Sequence, residues 1–488
     1  VTTPAASSAA GRFQGTDVLG WPIVGPILRW RHFRTALQLV LLLVAAIVVV
    51  HGFLGPEMAS ANLATVLTWV HYRGLLVIAL LAAGNLFCTG CPMIRVRDWA
   101  RRLHVPTRHW PARLRGKWIA IALFAAVLFA YELFDLWSLP RGTAYLVLAY
   151  FAVAIGVDLV FTGASFCKHV CPIGQFNFLT STVSPLEVQV RSAETCGSCR
   201  TADCVAGHRA AGPSTPVVQR GCELGLYLPA KVGNLDCTFC LDCVQACPYD
   251  NVVVGTRAPG LELADARRRS AIGRLVDRPD LVVLVLLFVF GAVMNAFGMI
   301  TPVYRVEQWL TTMLGGAPEA VVLGILFAAV VVAAPFGVVG GAAAATRILT
   351  ADTRSSWRVA ARYAYALVPL GVCLWTAHYA FHLLTGALTV VPVTQSAAID
   401  LAGWPMLGEP LWRWAGVRPG AVFPIQLGFA IFGAVGSAGV AHVISLQEYP
   451  RRPARATLPW VAAIAVLTAA AIWVLFQPME MRGVGFGG

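Results

Sequence analysis

Apolar positions in this chain gather into long uninterrupted runs, and polar positions fall mostly in the segments between them. Nine runs are candidate spans, at about 36–54, 68–87, 118–138, 143–163, 281–300, 319–346, 362–386, 421–445 and 458–476. A helix of roughly 20 apolar residues crosses the ~30 Å hydrocarbon core of a bilayer. The expected fold is mostly α: a polytopic membrane helix bundle of about nine transmembrane helices. Its parts are a cytoplasmic N-terminal segment (1–35), a first membrane block of four helices (36–163), an insert rich in Cys, Gly and Pro (164–280), a second membrane block of five helices (281–476) and an external tail (477–488). The first run, Ala36 to Leu54, has no small-residue cleavage site with a soluble domain behind it, so it reads as a retained helix and not a signal peptide.

Composition agrees: 58% of the 488 residues are hydrophobic and only 12% charged, against about 25% charged in soluble domains. Charge also sets an orientation. With the N-terminus inside and the spans alternating, inner segments hold 31 of the 37 Lys and Arg residues, and only Arg73, Arg141, Arg305, Arg413, Arg418 and Arg482 fall outside. Cytoplasmic loops collect such charge, so an inner-membrane protein is expected, with its insert cytoplasmic and its C-terminus outside. The insert balances 12 basic against 11 acidic residues, which excludes a nucleic-acid-binding surface. The long external loop at about 387–420 carries Trp404, Trp412 and Trp414 and reads as a plain loop anchored by aromatics, with an interfacial segment lying on the outer surface as the alternative.

Twelve of the 13 cysteines lie between Cys88 and Cys247, in short-spaced groups, while Cys373 stands alone in an apolar run. On a cytoplasmic segment such groups read as metal ligands, because disulfides are disfavoured there. Cys237, Cys240, Cys243 and Cys247-Pro248 form C-x2-C-x2-C-x3-C-P. In two-cluster ferredoxins the three close thiolates of this pattern hold one cubane, and the fourth reaches the other cluster. Zinc also takes four thiolates, but the tight packing and the closing Cys-Pro speak against it. Upstream, Cys196, Cys199 and Cys204 are followed by a solitary Cys222, with a Gly/Pro-bearing loop, Gly207 to Pro216, between. The crossover assigns Cys196, Cys199, Cys204 and Cys247 to one [4Fe–4S] cluster and Cys237, Cys240, Cys243 and Cys222 to a second. Cys204 and Cys222 could exchange roles.

Two further pairs sit where helices reach the cytoplasm: Cys88 and Cys91-Pro92, then Cys167 and Cys171-Pro172. Both helices run inward, so all four thiols reach the same depth. They could hold a third iron–sulfur cluster, act as redox dithiols, bind another metal, or be inert. Arg95, Arg97, Lys168 and His169 lie nearby, and positive charge favours thiolate over thiol.

These motifs, Cys-Pro-closed pairs after membrane helices followed by a two-cluster segment, resemble the NapH/NosR group of membrane polyferredoxins. The CcoG type of copper-oxidase maturation protein is similar in layout. The likeness covers roughly residues 36–255. Cys167 to Pro172 matches the family spacing, and Cys88 to Pro92 has one residue fewer. No segment corresponds to the flavin-binding domain of NosR-type proteins or the immunoglobulin-like tail of CcoG-type ones. The resemblance implies electron exchange between a quinone pool, or cytoplasmic donors, and a redox partner.

Four histidines lie in or beside the outer halves of helices: His51, His71, His378 and His382. Imidazole in lipid usually has a partner or a job. These could ligate haem b, hydrogen-bond a quinone, or join helices. Glu132, Asp135 and Asp158 near helix ends read as solvated or paired before catalytic, and at mid-span Asn295 and Cys373 are explained as well by helix packing as by function. The expected function is a membrane-bound iron–sulfur electron-transfer subunit linking a quinone pool to another subunit of a respiratory complex, a cytochrome or an oxidoreductase. No side chain need be catalytic, since the clusters carry the electron. The alternative is a membrane metal or disulfide reductase acting in maturation of another metalloenzyme.

Overall fold

The computed structural model describes residue 13, residues 15–210 and residues 217–478. Most of the first 14 residues, part of the Gly207 to Pro216 loop and the tail beyond Pro478 lie outside the described residues. The fold is a mostly-α helix bundle. Among the described residues eight helices are long and apolar enough to cross a membrane: Phe33–Leu54, Leu63–Ala83, Pro140–Val160, Pro279–Phe297, Glu319–Thr350, Ser356–Thr385, Pro419–Glu448 and Pro453–Phe476. Four of these begin with proline, which lacks the N–H that a first helical turn leaves unbonded and already has the helical φ.

The run expected to span at 118–138 forms a 16-residue apolar helix, Trp118–Leu133. At 1.5 Å per residue it reaches about 24 Å, short of the hydrocarbon core. It ends because the Phe134 N–H bonds back to the Ala130 and Glu132 carbonyls and Asp135 turns left-handed at φ 44°. A second expectation is corrected at Arg73. The Leu63–Ala83 helix starts earlier than its apolar run, because the Asn62 side chain caps it by accepting from Ala64 N–H. Arg73, counted among the outer charges and expected near the start of its span, therefore lies well inside that helix and is buried. In the segment 387–420, expected as a loop, a 13-residue helix Val390–Ala402 forms, and Trp404, Trp412 and Trp414 are exposed.

Ser356–Thr385 is the central helix. Gly433 of Pro419–Glu448 lets that helix approach so closely that an added Cβ would fall 2.6 Å from the Cys373 Cβ. The Trp375 indole donates to the Phe288 carbonyl at 2.9 Å, and Tyr363 stacks on Trp460 at 4.7 Å.

Between the two groups of helices the chain forms β1 (Leu186–Val190), β2 (His208–Arg209), β3 (Val217–Gln219) and β4 (Val252–Thr256). The outer strands β1 and β4 pair antiparallel, with Leu186 opposite Thr256, and β2 pairs with β3. Each half of this segment runs strand, cysteine-bearing turn, short helix, strand. Both helix groups hold it. Thr89 Oγ1 donates to the Phe239 carbonyl at 2.6 Å, Asn85 Nδ2 to the Cys237 carbonyl at 3.0 Å, and Lys117 Nζ meets Asp236 at 2.7 Å. From the later helices, Arg362 donates to the Ala264 carbonyl and Tyr365 to the Leu275 carbonyl.

Within β1, Glu187 meets Lys231 at 3.1 Å and Arg257 at 3.6 Å. Burial alone would push its carboxyl up, but the two cations outweigh burial and hold it below the usual carboxylate range. A carboxyl lowered in this way stabilises the fold fully above its unfolded pKa of about 4.3, and the contribution is lost as pH falls below that. Protease resistance of the strand segment is expected to stay flat from about pH 8 to 5 and to drop in acid. Glu187→Gln should remove much of that acid limb, and an unchanged acid profile in the variant would refute the assignment.

Candidate functional site

All 13 cysteines are free thiols. Pairing of β1 with β4 brings Cys196, just after β1, beside Cys247, just before β4. A cavity of about 30 Å³ is lined by Cys196, Cys199, Cys204 and Cys247, together with Tyr227 and Asn251. Asn251 ties the two ends: its backbone N–H donates to Cys247 Sγ at 3.4 Å and its Nδ2 to Cys196 Sγ at 3.2 Å. Ala202, left-handed at φ 49°, turns the chain so that Cys199 and Cys204 face one space. Cys222 does not line this cavity.

Cys222 instead lies within electrostatic reach of Cys237, Cys240 and Cys243. Phe239 and Leu241, at φ 51° and 59°, turn the chain between these three thiols. Non-glycine residues adopt this conformation at a cost. Leu226 N–H donates to Cys222 Sγ at 3.4 Å, and Cys222 N–H bonds to the Cys204 carbonyl at 2.8 Å, so the two sets are neighbours. Burial pushes the Cys237, Cys240 and Cys243 thiols up. A set of buried thiols becomes thiolate only around a cation. Among the described residues no three His, Cys, Asp or Glu side chains converge tightly enough to hold a single metal ion.

Cys88, Cys91, Cys167 and Cys171 line one much larger cavity of about 330 Å³ between the helices. Gly84, at φ 69°, ends the Leu63–Ala83 helix and starts the turn that carries Cys88 and Cys91. Cys167 sits in a π-helical turn, Phe166–Val170, and Cys171 caps the next helix, its Sγ accepting from Gly174 N–H at 3.0 Å. The wider π turn absorbs the residue by which the second pair is longer than the first. Two sulfur partners escaped the sequence reading: Asn177 Nδ2 donates to Cys88 Sγ at 3.3 Å, and the Tyr150 hydroxyl lies 3.3 Å from Cys171 Sγ. Asn177 follows Cys171-Pro172 by a helical turn and a half, a spacing that could have flagged it. The expected pull of nearby cations toward thiolate is present. Arg97 does lower Cys91, but burial outweighs it, and Cys171 is pushed up to about 12.

Arg97 anchors the polar layer beside these thiols. Buried at 2% exposure, it bonds Asp98 and Glu223 and reaches Asp158 at 3.5 Å. Arg34 adds contacts to Glu223 and Asp242. Glu223 follows Cys222, so this cluster ties the strand segment to the helices that carry the juxtamembrane cysteines.

The four histidines divide. His51 is bonded to Asn62 at 3.2 Å and approaches Asp400 at 3.4 Å; His71 lies 3.0 Å from the Val66 carbonyl and 3.3 Å from that of Ala387. Both act as helix-joining groups. His378 and His382 are buried on one face of one helix, their rings edge-on at 4.8 Å. Two imidazoles so placed cannot face each other across a porphyrin, and these residues do not fit a haem held between them.

No protein-family model matches the chain, and no solved structure does. Among curated proteins it is similar to the ferredoxin-type protein NapH of Escherichia coli (strain K12), 26% identical over 219 residues that make up 41% of this chain and 72% of that protein. The likeness is to the same group that the cysteine motifs resemble.

Proposed function

We propose that the chain is a membrane-bound iron–sulfur electron-transfer subunit that links a quinone pool to a redox partner. The observation that carries this reading is the cavity where Cys196, Cys199 and Cys204 meet Cys247, from opposite ends of the strand segment, with no disulfide among them. Cys196, Cys199, Cys204 and Cys247 are the ligands of one [4Fe–4S] cluster, Cys222, Cys237, Cys240 and Cys243 those of a second, and Cys88, Cys91, Cys167 and Cys171 those of a third. Each cluster, when bound, takes up and returns one electron. The protein supplies the thiolates, a dry setting, and N–H donors to sulfur from Asn251, Leu226, Gly174 and Asn177. Such donors stabilise added negative charge and raise the potential. The likeness to a ferredoxin-type protein supports the same reading. The strand segment is read as a ferredoxin-like insert on the cytoplasmic side of the inner membrane, facing partner subunits, and the concentration of Lys and Arg in the inner segments supports that side.

The test is iron, acid-labile sulfide and EPR on protein purified without oxygen. Three cubanes give about twelve irons per chain and the insert alone about eight. Zinc in place of iron, without labile sulfide, would overturn the proposal.

A further inference from the structure

The large cavity that receives the juxtamembrane thiols has a polar corner which they do not explain. Asn295, 3% exposed, lines it; its Nδ2 donates to Glu132 Oε1 at 3.2 Å, while its Oδ1, also buried, has no hydrogen-bond partner. Buried amide oxygens are ordinarily bonded, so this acceptor is set for something that enters the cavity. Arg73 lines the same space. Its Nε donates to the Trp69 carbonyl and its Nη2 to the Tyr131 hydroxyl, each at 3.0 Å. The guanidinium lies 5.1, 5.0 and 4.7 Å from the rings of Trp69, Tyr131 and Tyr379, and among the described residues no carboxylate pairs with it. Aromatic faces steady such a cation and leave it able to donate. Arginine inside a membrane helix is costly and marks function.

We propose that this corner, Arg73 with Tyr131, Tyr379 and Asn295, binds the head group of a quinol or quinone. The proposal rests on the electron-transfer reading above and names the ligand site within it. The chemistry of the corner selects the ligand class. A hydrocarbon would leave both Asn295 Oδ1 and Arg73 unanswered. A phosphate or carboxylate would suit Arg73 but turn an anion toward the Asn295 acceptor. A quinol answers both: one ring hydroxyl donates to Asn295 Oδ1, and a ring oxygen accepts from Arg73 or a tyrosine hydroxyl. Its apolar body suits the remaining wall, which is almost wholly apolar. Tyr72, next to Arg73, lines the cavity within electrostatic reach of Cys88, Cys91 and Cys171, so a head group there adjoins the thiol set.

Asn295 Oδ1 can only accept, and this makes the test specific. Duroquinol carries hydroxyl donors, while duroquinone carries none. Binding of each to the detergent-purified full chain is measured by tryptophan quenching, for wild type, Asn295→Leu and Arg73→Lys. Asn295→Leu is expected to weaken duroquinol at least tenfold, about 1.4 kcal/mol, and to leave duroquinone within about twofold. Arg73→Lys, which keeps the charge and loses the fork, should weaken both. If Asn295→Leu shifts both ligands equally or neither, or if wild type binds neither, the site is wrong. Dithionite-reduced EPR separates the two levels. A full cluster signal in protein that binds neither ligand overturns the site and spares the electron-transfer reading. Ligand binding with the Asn295 signature in protein that has no cluster signal supports the site and overturns that reading.

Discussion

Replacing Cys88 and Cys167 together with serine is expected to lower the iron content by about four atoms per chain and to remove one EPR-visible cluster, while the insert keeps its own. The four juxtamembrane thiols come from two helix ends far apart in sequence, yet they line one cavity and influence one another electrostatically. Taking one ligand from each end leaves two, too few to retain a cubane. A smaller, graded effect is expected from Asn177→Leu. It keeps all four thiols but deletes the donor to Cys88 Sγ, so the cluster should stay and its potential should fall. Iron content unchanged in the double serine variant would return these cysteines to dithiol or inert roles.

The second large effect is expected at Arg97. Removing one member of a buried ion cluster leaves an uncompensated charge and typically costs about 3–5 kcal/mol. Arg97→Met keeps much of the side-chain volume and strands Glu223 and Asp158, both of which Arg97 contacts. Thermal unfolding in detergent should begin earlier, with the insert becoming protease-sensitive before the helices do. Adding Glu223→Gln should recover part of the loss, because it removes one of the stranded charges. If Arg97→Met unfolds at the wild-type temperature, the cluster is a solvated surface network and does not hold the insert.

Thiol spacing is the part of the candidate site that sequence displays most openly. The grouping of Cys247 with Cys196 was expected before any coordinates from the crossover of the two cysteine sets, and the two residues line one cavity. Helix existence was equally legible from unbroken apolar runs. Boundaries were not. Asn62 starts its helix before the apolar run begins, and that cap puts Arg73 mid-helix instead of near the start of the run. Trp118–Leu133 is apolar enough but ends early at a left-handed Asp135, and hydropathy does not register backbone conformation. The polar corner was illegible for another reason. Arg73, Tyr131, Asn295 and Tyr379 come from four helices, and nothing in spacing along one chain tells which helices face each other. For the histidines the sequence left haem, quinone and helix joining open, because spacing does not show a partner; the neighbouring polar groups of His51 and His71 are those of the helix-joining reading.

The pairing of β1 with β4 has a topological consequence. With Leu186 opposite Thr256, the chain leaves the strand segment a few ångströms from where it entered. To the surrounding helices the seventy-odd residues between those points amount to a short loop, closed at its neck like a bead on a thread. A module with its termini side by side can be gained or lost between two helices without prising them apart. This gives a physical route by which one helical scaffold could acquire such a module, and another of the same shape could do without it.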